Sequence, residues 1–114
     1  VMRLIYGETS IMLTGDATLK TEKIILNNEK ENSLQSDILK VGHHGSRTSS
    51  SYEFVKEVKP KYAVISDGVN NSYGHPHPET LRTLNELGVE ILRTDELGTI
   101  IFSCDRMGTC EIHK

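Results

Sequence analysis

The sequence predicts an α/β domain, and three features carry that reading. Short apolar runs alternate with segments of helical spacing along most of the chain, the pattern of strands joined by crossover helices. A Gly7-Glu8 pair separates the first two apolar runs, a gap that fits only a hairpin turn, so the opening pair is antiparallel. Pro78 and Gly88 bracket one segment at the positions where Pro starts a helix and Gly ends it.

The elements follow in order. Residues 3–6 and 10–13 form the hairpin, and residues 17–26 read as a helix, with Asp16 placed either to cap it or to turn its carboxylate outward. Residues 27–36 are polar and loop-like, and residues 37–41 are a short apolar strand. Ser50-Ser51-Tyr52-Glu53 reads as a capping box that opens a helix running to Val58, which Pro60 stops. Residues 62–66 are too short for a helix and typical of a buried strand. After a loop over 67–74, the helix that begins at Pro78 buries Leu81, Leu84 and Leu87. Residues 89–92, 99–102 and 109–112 complete the chain as strands, with residues 95–98 as the turn between the first two. The pattern is ββαβαβαβββ, without internal repeats, low-complexity tracts or linkers.

Composition bounds what such a chain does. Its 114 residues make one small domain or a piece of a larger one, and 36% hydrophobic with 25% charged residues is the balance of a chain that builds a core. The net charge of −3 is spread without a basic stripe, so contact with nucleic acid has to come from a local site rather than from the overall field. No apolar run approaches the roughly 20 residues of a membrane span. Val1-Met2-Arg3 already lies in a strand pattern, from which further chain upstream is expected. Cys104 and Cys110 flank a turn at Arg106-Met107-Gly108, where they either form a disulfide suited to an extracytoplasmic compartment or stand as two unpaired small residues.

Chemistry concentrates at strand ends. Thr14-Gly15-Asp16 follows one strand, His43-His44-Gly45-Ser46 another, and Gly74-His75-Pro76-His77-Pro78 lies at a third strand-to-helix connection. Four of the five histidines thus fall in loops after strands, where open α/β sheets place their chemistry. A carboxylate and two imidazoles on one sheet edge are what a divalent metal site needs.

The ordered blocks Leu13-Thr14-Gly15-Asp16, Asp37-Ile38-Leu39-Lys40-Val41-Gly42-His43-His44-Gly45-Ser46, Ala63-Val64-Ile65-Ser66 and Asn70-Asn71-Ser72-Tyr73-Gly74-His75-Pro76-His77-Pro78 resemble the C-terminal half of a metallo-β-lactamase-fold domain. More narrowly they resemble the soluble domain of ComEC competence proteins and related free-standing hydrolases. The resemblance runs from about Arg3 to about Phe102. It implies half of an αββα sandwich, a mixed sheet with helices on one face, and a site for one or two zinc or manganese ions. The family's His-x-His-x-Asp-His motif occurs nowhere in these residues. Residues 1–114 are therefore expected to be one partial domain, inactive alone, whose first partner is the absent N-terminal half.

The resemblance and the chemistry of the side chains together suggest roles. Asp16 is the candidate bridging metal ligand, with the N-cap of a helix as its other reading. His43 is the candidate ligand of the second metal. If strand geometry continues, His44 points to the opposite side and orients a ligand or contacts substrate, and the reverse assignment stays open. Ser46 is expected to hydrogen-bond beside the site. His75 and His77 flank Pro76, where His75 suits proton transfer or substrate contact and His77 either binds substrate or closes the loop. The following helix N-terminus favours a phosphate. His113 is expected to be exposed and silent.

The activity implied for the complete protein is metal-assisted hydrolysis of a phosphodiester such as imported DNA. Its competitors are a small-ester, lactone or phosphorylcholine-type hydrolase and a non-catalytic scaffold that binds a partner. In the last case the bare sheet edge needs cover, by a homodimer or by the absent segment. A ComEC-type parent is membrane-associated through segments outside this chain and holds the domain outside the cytoplasm, whereas a free-standing hydrolase is cytoplasmic or secreted.

Overall fold

A computed structural model describes residues 1–30 and 32–113. Strands β1 (Met2–Tyr6) and β2 (Thr9–Leu13) form the opening hairpin, and helix α1 (Leu19–Asn28) leads to β3 (Ile38–Lys40). Helix α2 (Tyr52–Val58), β4 (Tyr62–Ile65), α3 (Pro78–Glu86) and β5 (Glu90–Arg93) follow. A one-turn helix α4 (Thr94–Leu97) then precedes β6 (Ile101–Cys104) and β7 (Cys110–His113).

The first five strands form one sheet in the order β1-β2-β3-β4-β5, antiparallel between β1 and β2 and parallel from β2 to β5. Right-handed crossovers that always step the same way place every connecting helix on one face. The packing agrees. Ile25 and Leu26 of α1, Phe54, Val55 and Val58 of α2 and Leu84 of α3 join Met12, Leu39, Ala63 and Ile65 of the sheet in one cluster. On the opposite face, Ile38, Tyr62 and Leu92 pack against Phe102 and Ile112 of the β6-β7 hairpin, with the Tyr62 and Phe102 rings 5.4 Å apart. The observed architecture is thus a mixed α/β domain of three layers among the described residues: helices, five-stranded sheet and two-stranded hairpin. The helices lie on one face as expected, and this coarser description stands in place of the αββα sandwich.

The hairpin carries a disulfide between Cys104 and Cys110, directly opposed in the β6-β7 register with Cα atoms 4.1 Å apart. At the far side of the sheet the outer edge of β1 is unpaired among the described residues, with Met2, Leu4, Ile5 and Tyr6 exposed. Among the described residues no helix is long and apolar enough to cross a membrane.

The elements differ from the local expectation in three places. Helix α1 begins two residues later than expected because Thr18 caps it, accepting from the Thr21 amide at 3.3 Å, so the N-cap reading of Asp16 is corrected. Helix α2 is capped by Ser51, whose hydroxyl accepts from the Phe54 amide, and not by Ser50. The return half of the box comes from another helix. The buried Glu22 carboxylate of α1 accepts from the Ser50 and Ser51 amides at 2.6 and 2.8 Å, where Glu53 was expected. Residues 94–97 form α4 in place of a plain turn. The Leu81, Leu84 and Leu87 face of α3 packs into the core as the spacing predicts.

Candidate functional site

Parallel strands in a monotonic order bring the loops after their carboxyl ends to one edge. Asp16 follows β2, His43 and His44 follow β3, and Asp67 follows β4. The loop over 68–75 adds Asn71, Tyr73 and His75, and together these side chains line a cleft of about 410 Å³. That volume lies within the range of small-molecule sites.

The His43-His44 pair owes its position to an unusual backbone. After β3 the chain enters a tight turn over Gly42–Gly45 in which His43 (φ 50°, ψ 43°) and His44 (φ 55°, ψ 28°) are both left-handed. Two consecutive non-glycine residues in that region are costly and persist only where surrounding contacts impose them. Those contacts are present. The His43 amide donates to Gly15 O at 2.9 Å, which ties the turn to the Asp16 loop. A Cβ at Gly42 would lie 2.5 Å from Ser49 Oγ, and one at Gly45 would lie 2.6 Å from Pro76 Cβ, so both glycines permit close approach of neighbouring loops. Strand alternation ends before this turn. His44 therefore does not face away from His43, and the expectation that it points to the opposite side is corrected, since both rings line the same cleft.

The rings are held by specific partners. His44 Nδ1 pairs with Ser66 O at 2.6 Å and His43 Nδ1 with Thr48 Oγ1 at 3.3 Å. The His75 amide donates to Asn71 Oδ1 at 2.9 Å while Asn71 Nδ2 donates to His75 O at 2.8 Å, which closes the loop under His75. His44 and His75 are nearly parallel, 14° apart with centroids at 6.4 Å, and Tyr73 stacks on His75 at 5.6 Å and 22°. Burial, with the neighbouring His77 next in weight, lowers the His75 imidazole below its ordinary range. Burial raises the Asp67 carboxyl, opposed by His75 and His44. Burial lowers the Lys40 ammonium at the end of β3 below its ordinary range, opposed by the charges of Asp67 and Asp16, and its Nζ donates to Val41 O at 3.2 Å.

Two other candidates stand outside the cleft lining. Ser46 is buried and shares a hydrogen bond with Thr48 Oγ1 at 2.8 Å. His77 is the N-cap of α3. Its Nδ1 accepts from the Arg47 amide at 2.9 Å and its own amide donates to Gly45 O at 3.0 Å, which is the loop-closing role. His113 is exposed, beside Ser103 at 3.0 Å. The residue that the sequence reading missed is Asp67. Its Oδ2 is buried with no hydrogen-bond partner among the described residues, while its backbone amide and carbonyl both engage Thr94 Oγ1. The available signal was its place directly after a strand, the same logic that singled out Asp16.

A catalytic zinc takes three protein ligands and a structural zinc four. Among the described residues no three His, Cys, Asp or Glu side chains stand where one ion would be held. Asp16 and His43 line the cleft together with His44, Asp67 and His75, without three of them converging on one point.

No protein-family model matches the chain. It is 41% identical over 108 residues to "ComE operon protein 3" of Bacillus subtilis and 39% identical over 108 residues to "Competence protein ComA" of Neisseria gonorrhoeae. It is 35% identical over 94 residues to "Recombination protein 2" of Haemophilus influenzae. These alignments cover 94%, 95% and 82% of this chain but only 14%, 16% and 11% of the respective relatives. The chain therefore spans a small part of the curated relatives it matches. The similarity is to proteins named for competence and recombination, and none of those names is that of a metallo-β-lactamase, which corrects the expected ComEC-type metallo-β-lactamase assignment.

Proposed function

We propose that this chain is a nucleic-acid-contacting domain of a DNA-uptake protein and that its cleft binds a strand without cutting it. The observation that carries the reading is one cleft lined by the parallel rings of Tyr73, His75 and His44, with hydrogen-bonding groups beside them and without a metal's ligand set. Planar rings beside a polar groove are the means by which proteins hold unpaired strands regardless of sequence. The relatives' names support a role in competence. The disulfide supports an oxidising compartment outside the cytoplasm. With a net charge of −3 the affinity rests on the local site, so its salt dependence is shallow compared with that of basic DNA-binding proteins.

The test is fluorescence anisotropy of labelled single-stranded oligonucleotides against the protein and a His43→Ala/His44→Ala double variant. Binding that is lost in the double variant supports the reading. The same oligonucleotides are then incubated with protein plus zinc or manganese and run on a denaturing gel, where intact strands are expected. Cutting that disappears in Asp16→Ala and His43→Ala would overturn the non-catalytic reading in favour of metal-assisted phosphodiester hydrolysis.

A further inference from the structure

Tyr73 is 75% exposed, although it is one of only six aromatic residues in the Phe, Trp and Tyr class. An aromatic ring in water contributes nothing to the core, so its position calls for another account. Its backbone is not loose. Tyr73 O meets His77 Nε2 at 3.3 Å, and Asn71 bridges Gly68 and His75 on either side of it. The ring is stacked on His75, and the residue as a whole remains open to solvent while it lines the cleft. Asp67 lines the same cleft, and its Oδ2 is buried without a hydrogen-bond donor among the described residues. A buried acceptor without a protein donor takes its hydrogen bond from something the chain does not supply, a water, an ion or a bound ligand.

We infer that Tyr73 is a stacking platform for an unpaired nucleobase and that Asp67 Oδ2 accepts a hydrogen bond from that base's exocyclic amino group. This rests on the reading of the cleft as a strand-binding site and adds how a base is held there and which bases are preferred. A carboxylate accepts from the amino group of cytosine, and adenine and guanine carry amino groups as well. Thymine has none. Its single ring N–H lies between two carbonyl oxygens, which a carboxylate repels. Stacking supplies affinity for any base, and the carboxylate supplies discrimination against thymine.

The experiment measures anisotropy with labelled oligo-dC, oligo-dA and oligo-dT of one length, on the wild type and on Tyr73→Ala, Tyr73→Phe, Asp67→Asn and the His43→Ala/His44→Ala double variant. The wild type is expected to bind oligo-dC and oligo-dA several-fold more tightly than oligo-dT. Tyr73→Ala is expected to weaken all three by about tenfold, and Tyr73→Phe to retain most of the affinity. Asp67→Asn, whose amide also donates to a thymine carbonyl, is expected to bring the dC-to-dT ratio close to one without weakening oligo-dT. The exposed Tyr73 ring leaves the core untouched, which an unchanged melting temperature verifies. Tyr73→Ala within twofold of wild type, while the histidine double variant has lost binding, would overturn the stacking and leave the strand-binding reading standing. A wild-type dC-to-dT ratio of one would overturn the Asp67 contact. No binding of any oligonucleotide by the folded wild type would overturn the strand-binding reading itself.

Discussion

Replacing Glu22 tests the joint that holds the site's supporting loop. The side chain is 1% exposed, lies on α1, and accepts from the Ser50 and Ser51 amides at the start of α2. Along the same seam Ser49 Oγ donates to Ala17 O at 2.6 Å and the Leu19 amide donates to Thr48 O at 3.0 Å. Residues 46–51 are thereby pinned to the segment that begins at Asp16, and the His43-His44 turn is carried between the two. In Glu22→Ala both amides lose their acceptor. A buried unsatisfied N–H costs about 1–3 kcal/mol, so the pair costs about 2–6 kcal/mol before any cavity contribution. Glu22→Gln keeps one acceptor oxygen and loses the other, which halves the cost to about 1–3 kcal/mol. With no Trp in the chain, urea unfolding is followed by far-UV circular dichroism. A loss below about 1 kcal/mol in Glu22→Ala, or equal losses in the two variants, would refute this accounting of the amides.

The same variant reads the pH dependence. Burial raises the Glu22 carboxyl above its ordinary 4.5, against the pull of the two amides. A raised folded-state value means that its contribution to stability is full below 4.5 and declines as pH rises through the folded value. The stability gap between wild type and the non-titrating Glu22→Gln variant is therefore expected to narrow from pH 4 to pH 7, and a widening gap would contradict the sign.

Three further outcomes are expected. Gly45→Ala forces a Cβ to within 2.6 Å of Pro76 Cβ at a φ of 82°, so it should cost about 1–3 kcal/mol in urea unfolding and weaken oligonucleotide binding by displacing His75. Reducing the Cys104–Cys110 bond, whose partners are six residues apart, should cost about 2 kcal/mol, read as a lower melting temperature in dithiothreitol. Finally, the exposed apolar residues on the unpaired β1 edge should drive concentration-dependent association in light scattering, which Leu4→Lys and Ile5→Lys should suppress.

Element order, the opening hairpin, the leucine face of α3 and the concentration of histidines after strand ends were all legible in the sequence. Each is a local property, since hydrophobic period, turn chemistry and the Pro78 start act over a few neighbouring residues. Cap identity was legible only in part. Ser51 rather than Ser50 caps α2 because Glu22, 28 residues from Ser50, takes the amides that a local Glu53 was expected to take. The side-chain directions of His43 and His44 followed neither strand nor helix rules, because contacts with Gly15 and Thr48 accompany a left-handed turn that no period describes. By itself the sequence determined an α/β domain with reactive side chains at its loop starts. Only the tertiary structure decided which of them meet. The parallel order of β2, β3 and β4 brings Asp16, the two histidines and Asp67 to one edge, while hydrogen bonds to Arg47 and Thr48 keep His77 and Ser46 in the scaffold.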